Sequence, residues 1–248
     1  MAENNTELIN INNIVVTYDG EPVIKDLSLK IFSGSFIGLI GPNGAGKTTL
    51  LLSVSGQFKP VNGSIGFSDQ DIYEKNFEYK KNMGFVNERP FFYPFFTVEE
   101  YLYFIAGIRK IDRNEIDGRV DEIISLFRLS DIKDKSTSAL SMGMQKKLAI
   151  ASAYMGNPHI LFLDEALNGI DVENAFMIKQ LLKSYVEQGG TVILSTHVLE
   201  VVEKTCDRYL IMKDGKIIAD IIADNYRDSG VSGNYRDLED YVIRLLKS

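Results

Sequence analysis

The sequence predicts an α/β fold with a mainly parallel core sheet, an antiparallel β subdomain at the N-terminus and an inserted α-helical lobe. Three observations carry this. The first third alternates apolar and polar residues at period two, then compresses into short apolar runs bounded by glycine. A helical period takes over between about residues 97 and 135. Short apolar runs separated by helical stretches then return, the alternation expected of parallel strands joined by crossovers.

Taken in order, INNIVVTY (11–18) and EPVIKDLSLKIF (21–32) read as two strands around a turn at Asp19-Gly20. FIGLIG (36–41) is short and wholly apolar, as suits a strand buried on both faces. Five of the chain's 20 glycines fall within 34–46, and KTTLLLSVSG after them reads as a helix stopping at Gly56. A short strand at 63–67 and a helix near 71–82 follow. Thr97-Val98-Glu99-Glu100 is a capping box, and Leu102, Ile105, Ile108, Ile123, Ile124 and Phe127 follow at helical spacing. ILFL (160–163) is a buried strand, a helix runs to about Glu187, and Gly189-Gly190 leads into TVILST (191–196). KDGKIIADI is a hairpin by its Asp214-Gly215 turn. Leu238, Tyr241, Val242, Leu245 and Leu246 share one face of a last helix. Asn-Tyr-Arg-Asp at 225–228 and again at 234–237 is a chance recurrence, not a repeat unit. The expected division is one domain over 1–248: a core of 1–87 and 141–225, a lobe of 88–140, and a helical extension of 226–248.

Composition bounds the function. With 27 Lys+Arg against 34 Asp+Glu the 248-residue chain carries a net charge of −7, which argues against a nucleic-acid partner. Cys206 is the single cysteine, which excludes an internal disulfide and fits a reducing compartment. No run reaches the roughly 18 apolar residues needed to span a bilayer. Residues 148–163 come nearest but contain Asn157, Pro158 and His159. The opening MAENNTELIN is polar and acidic, so no signal peptide is expected. These properties predict a soluble cytosolic protein.

Gly41-Pro42-Asn43-Gly44-Ala45-Gly46-Lys47-Thr48 matches G-x-x-x-x-G-K-[ST] between a predicted strand and a predicted helix. The glycines let successive N–H groups turn inward, and the helix N-terminus adds positive potential for phosphate. Lys47 can reach the β- and γ-phosphates, and the Thr48 hydroxyl can ligate Mg2+. ILFLDE (160–165) supplies carboxylates at a strand end: Asp164 to hold Mg2+ and Glu165 to polarise a water in line with the γ-phosphate. This is the pattern of a P-loop site for a nucleoside triphosphate with Mg2+, and it leaves many NTPase families open.

Leu140-Ser141-Met142-Gly143-Met144-Gln145-Lys146-Lys147 narrows the class. It resembles the LSGGQ signature of the ATP-binding cassette (ABC) family, and the resemblance runs from about residue 10 to 220. Tyr18 looks like the family's adenine-stacking aromatic, and Asn87-Glu88 stands at its Q-loop. Residues 167–171, ending at Asp171, look like the D-loop, and Ser195-Thr196-His197 like the switch histidine. The resemblance implies an ABC-type ATPase fold and two cassettes paired head to tail, most simply as a homodimer. ATP on one P-loop, with Thr49 beside it, would be capped by Ser141, Gly143 and Met144 of the partner. Glu165, His197 and Lys47 would act in catalysis; Thr48, Glu88 and Asp164 would serve the metal.

Three departures stand out: Met142 for the first signature glycine, Ala166 for the proline after the catalytic glutamate, and Glu88 for the Q-loop glutamine. None removes a group needed for hydrolysis. Nine of the 26 aromatics lie between Phe85 and Phe104, where the family receives a coupling helix from its membrane subunit. Phe91–Phe96 are therefore expected to contact a separate transmembrane permease, with the chain at the cytoplasmic face of the cell membrane. Glu88 and the Leu-Ser-Met-Gly-Met form are similar to cassettes of small two-component exporters, and no regulatory domain of the importer kind follows residue 248, so export is favoured. Two alternatives stay open: an ABC ATPase driving a membrane complex without solute transport, and a soluble ABC ATPase of translation or DNA repair.

Overall fold

A computed structural model describes residues 6–74, 76–228 and 238–247. Strand β1 (Glu7–Tyr18) pairs antiparallel with β2 (Glu21–Phe32) across the expected Asp19-Gly20 turn, and begins four residues before the predicted start. Its alternation puts Ile9, Ile11, Ile14 and Val16 inside, each essentially without exposure. β3 (Phe36–Ile40) is buried at every position and feeds the glycine-rich loop into α1 (Lys47–Val54). The helix stops where predicted: Ser55 caps it, and Gly56 takes the left-handed conformation that glycine accepts without strain.

β4 (Asn62–Phe67) and β5 (Gln70–Asp71) complete a four-stranded sheet in the order β2-β1-β4-β5. The helix expected near 71–82 is shorter, α2 (Asn76–Lys81). The reason is local. The Asp71 carboxylate accepts a bond from the Tyr73 N–H at 2.7 Å, and this side-chain turn competes with the first helical turn.

β6 (Met83–Val86) opens the second half of the core, followed by α3 (Val98–Ile108) and α4 (Ile116–Leu126). Thr97 and Glu100 form the predicted capping box reciprocally: the Glu100 N–H donates to Thr97 Oγ1 at 3.2 Å, and the Thr97 N–H to Glu100 Oε2 at 2.8 Å. Two short 3-10 turns lead to α5 (Met142–Tyr154), capped by Ser141. Then follow β7 (Ile160–Asp164), α6 (Val172–Glu187), β8 (Thr191–Ser195), α7 (Leu199–Thr205) and the hairpin β9 (Arg208–Lys213) and β10 (Lys216–Ile222). α8 (Ala223–Asp228) and α9 (Leu238–Lys247) end the described chain. Leu238 and Val242 of α9 are buried, as its apolar stripe requires. The opening MAENN and the second Asn-Tyr-Arg-Asp lie outside the described residues.

The core sheet runs β10-β9-β3-β8-β7-β6, parallel throughout except for the β9–β10 hairpin. Its central strands are apolar on both faces because both are covered. Ile160 and Phe162 face the cluster shared with α1 and the antiparallel sheet; Leu161 and Leu163 face the one shared with α3 to α7 and α9. Cys206 is buried where α7 ends against β3, with the Gly38 backbone close beneath it. Among the described residues no helix is long and apolar enough to cross a membrane.

Candidate functional site

Four adjacent parallel strands, β3, β8, β7 and β6, end on the same edge of the sheet. Each sends its next residues into one cavity of about 310 Å3. β3 delivers the glycine-rich loop, β7 delivers Asp164 and Glu165, β8 delivers His197, and β6 delivers Glu88. Ligands of open α/β sheets bind at this carboxyl edge.

The loop's geometry is that of a phosphate cradle. Gly44 and Gly46 both have left-handed φ, +80° and +103°, so the chain turns sharply while its N–H groups stay inward. Gly46 is also the N-cap of α1, and no side chain caps that end. The first-turn amides and the helix dipole are therefore free for an anion. Lys47 is nearly buried, and its ammonium donates to the carbonyls of Gly41 at 2.8 Å and Pro42 at 3.1 Å. Burial pulls the Lys47 ammonium below its ordinary pKa, and the Glu165 and Asp164 charges oppose that shift.

Asp164 is buried and held from two sides. Thr48 Oγ1 donates to its Oδ2 at 2.8 Å, and Ser195 Oγ to its Oδ1 at 2.5 Å. The Ser195 bond follows from strand register, since Asp164 lies directly opposite Ser195 in the β7–β8 pair. Glu165 has a left-handed φ of +50°, an uncommon backbone for a residue with a side chain. Both ends of this residue are fixed: its N–H donates to Ser195 O and Oγ, and its carbonyl accepts from Lys146 Nζ at 2.7 Å. Its carboxylate accepts a short bond from Asn168 Nδ2 and lies 3.1 Å from His197 Nδ1. Glu165 and Lys47 line the same cavity.

Thr48, Asp164 and Glu88 are hard oxygen donors facing the same cavity, the kind of donor Mg2+ takes. Among the described residues no three His, Cys, Asp or Glu side chains form a cage of their own. The donor set fits a Mg2+ ion that keeps phosphate and water ligands.

A family model described as "ABC transporter" matches residues 24–168, more than half of the chain. The chain belongs to the ABC transporter family. The ABC transporter ATP-binding protein YdbJ of Bacillus subtilis is 34% identical over 218 residues, 86% of this chain and 69% of its own length. The Nod factor export ATP-binding protein I of Rhizobium meliloti is 31% identical over 87% of this chain and 64% of its own length. A dimeric cassette solved in a post-hydrolysis state with ADP and phosphate superposes with a TM-score of 0.81 at 25% identity, covering 87% of this chain and 99% of its own. The chain is an ABC transporter ATP-binding subunit, an ATPase, and its fold is that of the P-loop NTPases of ABC type.

The other expected ABC elements are distributed as follows. Thr49 lines the phosphate cavity, whereas Tyr18 does not: its ring is exposed at the end of β1, 4.7 Å between centroids from Phe58. Ser141, Gly143 and Met144 lie at the start of α5, outside the cavity. Gly143 packs against the backbone of 169–171, with Gly169 O 3.2 Å from the point where its Cβ would sit. Ser141 Oγ accepts from the Met144 N–H at 3.4 Å, so that amide is already engaged. Asp171 caps α6 through Asn174, and these bonds lower its pKa. Of the aromatic cluster, Phe85, Phe91, Phe92 and Tyr101 line a separate groove of about 450 Å3, while Tyr93 meets Phe96 and Phe104 edge-on.

Three residues matter to this site in ways the sequence reading left unassigned: Ser195 against Asp164, Asn168 against Glu165, and Lys146 against the Glu165 carbonyl. Ser195 had a usable signal, its place at the end of an apolar run two residues before His197. Lys146 had none, because its contact spans two elements that only the packed fold brings together.

Proposed function

We propose that this ABC ATPase binds Mg-ATP between two copies of the chain arranged head to tail, and couples hydrolysis to export through a separate transmembrane subunit at the cytoplasmic face of the cell membrane. One observation carries the dimer: the Ser141–Gly143 end of α5 does not line its own chain's cavity, and Met142 there is 65% exposed beside Gly169. In this reading the phosphate cradle of one copy is completed by the α5 start of the other. The dimeric cassette with ADP and phosphate supports the arrangement.

In the proposed reaction the cradle amides and Lys47 bind the β- and γ-phosphates, and Thr48, Asp164 and Glu88 would hold the Mg2+. When bound, Mg2+ neutralises charge on the phosphate oxygens. Glu165 accepts a proton from a water as its oxygen attacks the γ-phosphorus, and the bond to the bridging oxygen of ADP breaks. His197 and Asn168 orient the Glu165 carboxylate, and His197 also faces the γ-phosphate. The second copy's α5 start closes the cavity against bulk water.

Export is supported by the resemblance to a cassette named for Nod factor export. The membrane partner is supported by the groove beside β6, where Phe91 is 76% exposed on an apolar floor of Met83, Val86 and Ile105. Aromatic anchors of this kind suit a helix laid in a groove. The decisive experiment is size-exclusion chromatography of Glu165→Gln with ATP. A stable dimer is expected, and adding Ser141→Arg should return it to monomer while ATP still binds. A dimer that survives Ser141→Arg overturns the head-to-tail arrangement.

A further inference from the structure

Two consecutive lysines of α5, Lys146 and Lys147, are only 3% and 7% exposed, and a buried ammonium needs partners. They find them at opposite ends of the loop that joins β7 to α6. Lys146 donates to the Glu165 carbonyl at 2.7 Å, where the loop begins. Lys147 donates to the Arg128 carbonyl at 3.1 Å and to Asn174 Oδ1 at 3.2 Å, just past the loop's end. Asn174 passes the contact on: its Nδ2 donates to Asp171 Oδ2 at 2.7 Å, and its backbone N–H to Asp171 Oδ1 at 3.0 Å. With a cation on its oxygen and a carboxylate on its nitrogen, the side chain must be both acceptor and donor, as an amide is. Gly143, one turn before Lys147 on the same face of α5, lies flush against the loop. An added Cβ there would come within 3.2 Å of Gly169 O and 3.5 Å of Ile170 Cα. From inside the same loop, Asn168 holds the Glu165 carboxylate.

We infer that Asn174 is a positioning residue: its amide bridges Lys147 to Asp171 and so fixes to α5 the far end of the loop whose near end carries Glu165. The loop is then tied at both ends and packed against Gly143 between them. Asn168 is left one place from which to orient the Glu165 carboxylate. The helix that bears Ser141 at its start thereby also sets the carboxylate of its own chain. This role rests on the reading of Glu165 as the residue that takes the proton from water.

The test is phosphate release by the full chain over a range of ATP concentrations. Asn174→Asp keeps the acceptor for Lys147 and loses the donor to Asp171. It should keep its thermal unfolding midpoint yet lower kcat about tenfold, with KM within about twofold. Adding Asp171→Asn restores the bond with donor and acceptor exchanged, and Asn caps a helix as well as Asp does. In that double variant kcat should return to within about threefold of the unaltered chain. Asn174→Leu removes both halves of the bridge and should lose kcat as Asn174→Asp does. Lys147→Met on top of Asn174→Leu should then cost about twofold or less, because the link is already broken. A role in the fold alone would lower the unfolding midpoint of Asn174→Leu and leave the kcat of Asn174→Asp unaltered. Unaltered kcat in Asn174→Asp, or no recovery in the exchanged pair, overturns the inference. Unaltered turnover by Glu165→Gln would instead sink the reading of Glu165, so the two failures are distinguishable.

Discussion

The phosphate cavity and the aromatic groove are neighbours made by opposite means. Asn87 lines the groove and the next residue, Glu88, lines the cavity. The cavity is built from backbone: left-handed glycines, an uncapped helix N-terminus and carboxylates held by fixed bonds. The groove is built from side chains, with Phe91, Phe92 and Tyr101 over an apolar floor and Lys80, Lys110 and Arg109 at its rim. A backbone site tolerates almost no substitution and selects one chemistry. A side-chain groove can be re-lined one residue at a time and so adapt to a particular partner.

If this contrast is right, perturbations should separate sharply. Glu165→Gln should have the largest effect, a drop in kcat of about 10²–10⁴-fold with ATP affinity retained, measured by phosphate release and equilibrium binding. A turnover close to the unaltered rate would remove Glu165 from its role. Leu102→Ala, in the α3 core beneath the groove, should cost about 2–5 kcal/mol in denaturant unfolding, because Leu102 is fully buried. Gly46→Ala should destabilise by about 1–3 kcal/mol and abolish ATP binding, since φ is +103° and the added methyl would meet Ile24 and Met212 at 3.0 Å. A stable Gly46→Ala chain that binds ATP would contradict the backbone-built cavity. Phe95→Ala, in the exposed aromatic cluster and 73% exposed, should change stability by no more than about 0.5 kcal/mol. A larger loss would mean that the exposed aromatics serve the fold and not a partner.

The same contrast explains what could be read before the fold was known. The cradle was legible because it is local: strand, loop and helix are continuous from Phe36 to Val54, and Gly44 and Gly46 both take positive φ in the loop. The strands were legible where both faces are buried, as in ILFL, since four apolar residues between Pro158-His159 and Asp164 are too few for a helix. The helix around 71–82 was overestimated because one side chain, Asp71, redirects the chain, and propensity does not see such a bond. Lys146 and the Ser195–Asp164 bond were hidden because strand order and register decide them, and these join segments far apart in sequence. Tyr18 was placed at its strand end, but its packing against Phe58 comes from a distant loop.

The sole cysteine, Cys206, is 2% exposed, and burial raises its thiol well above the ordinary range. Thiol reagents should ignore it in the folded protein. The native chain is therefore already a clean background for site-directed labelling. A cysteine introduced at exposed Met142, and another at Asn43 in the loop, could carry spin labels or fluorophores without removing any natural residue elsewhere. The opening and closing of a pair of these chains could then be timed directly, with Cys206 kept as a silent witness that the fold is intact.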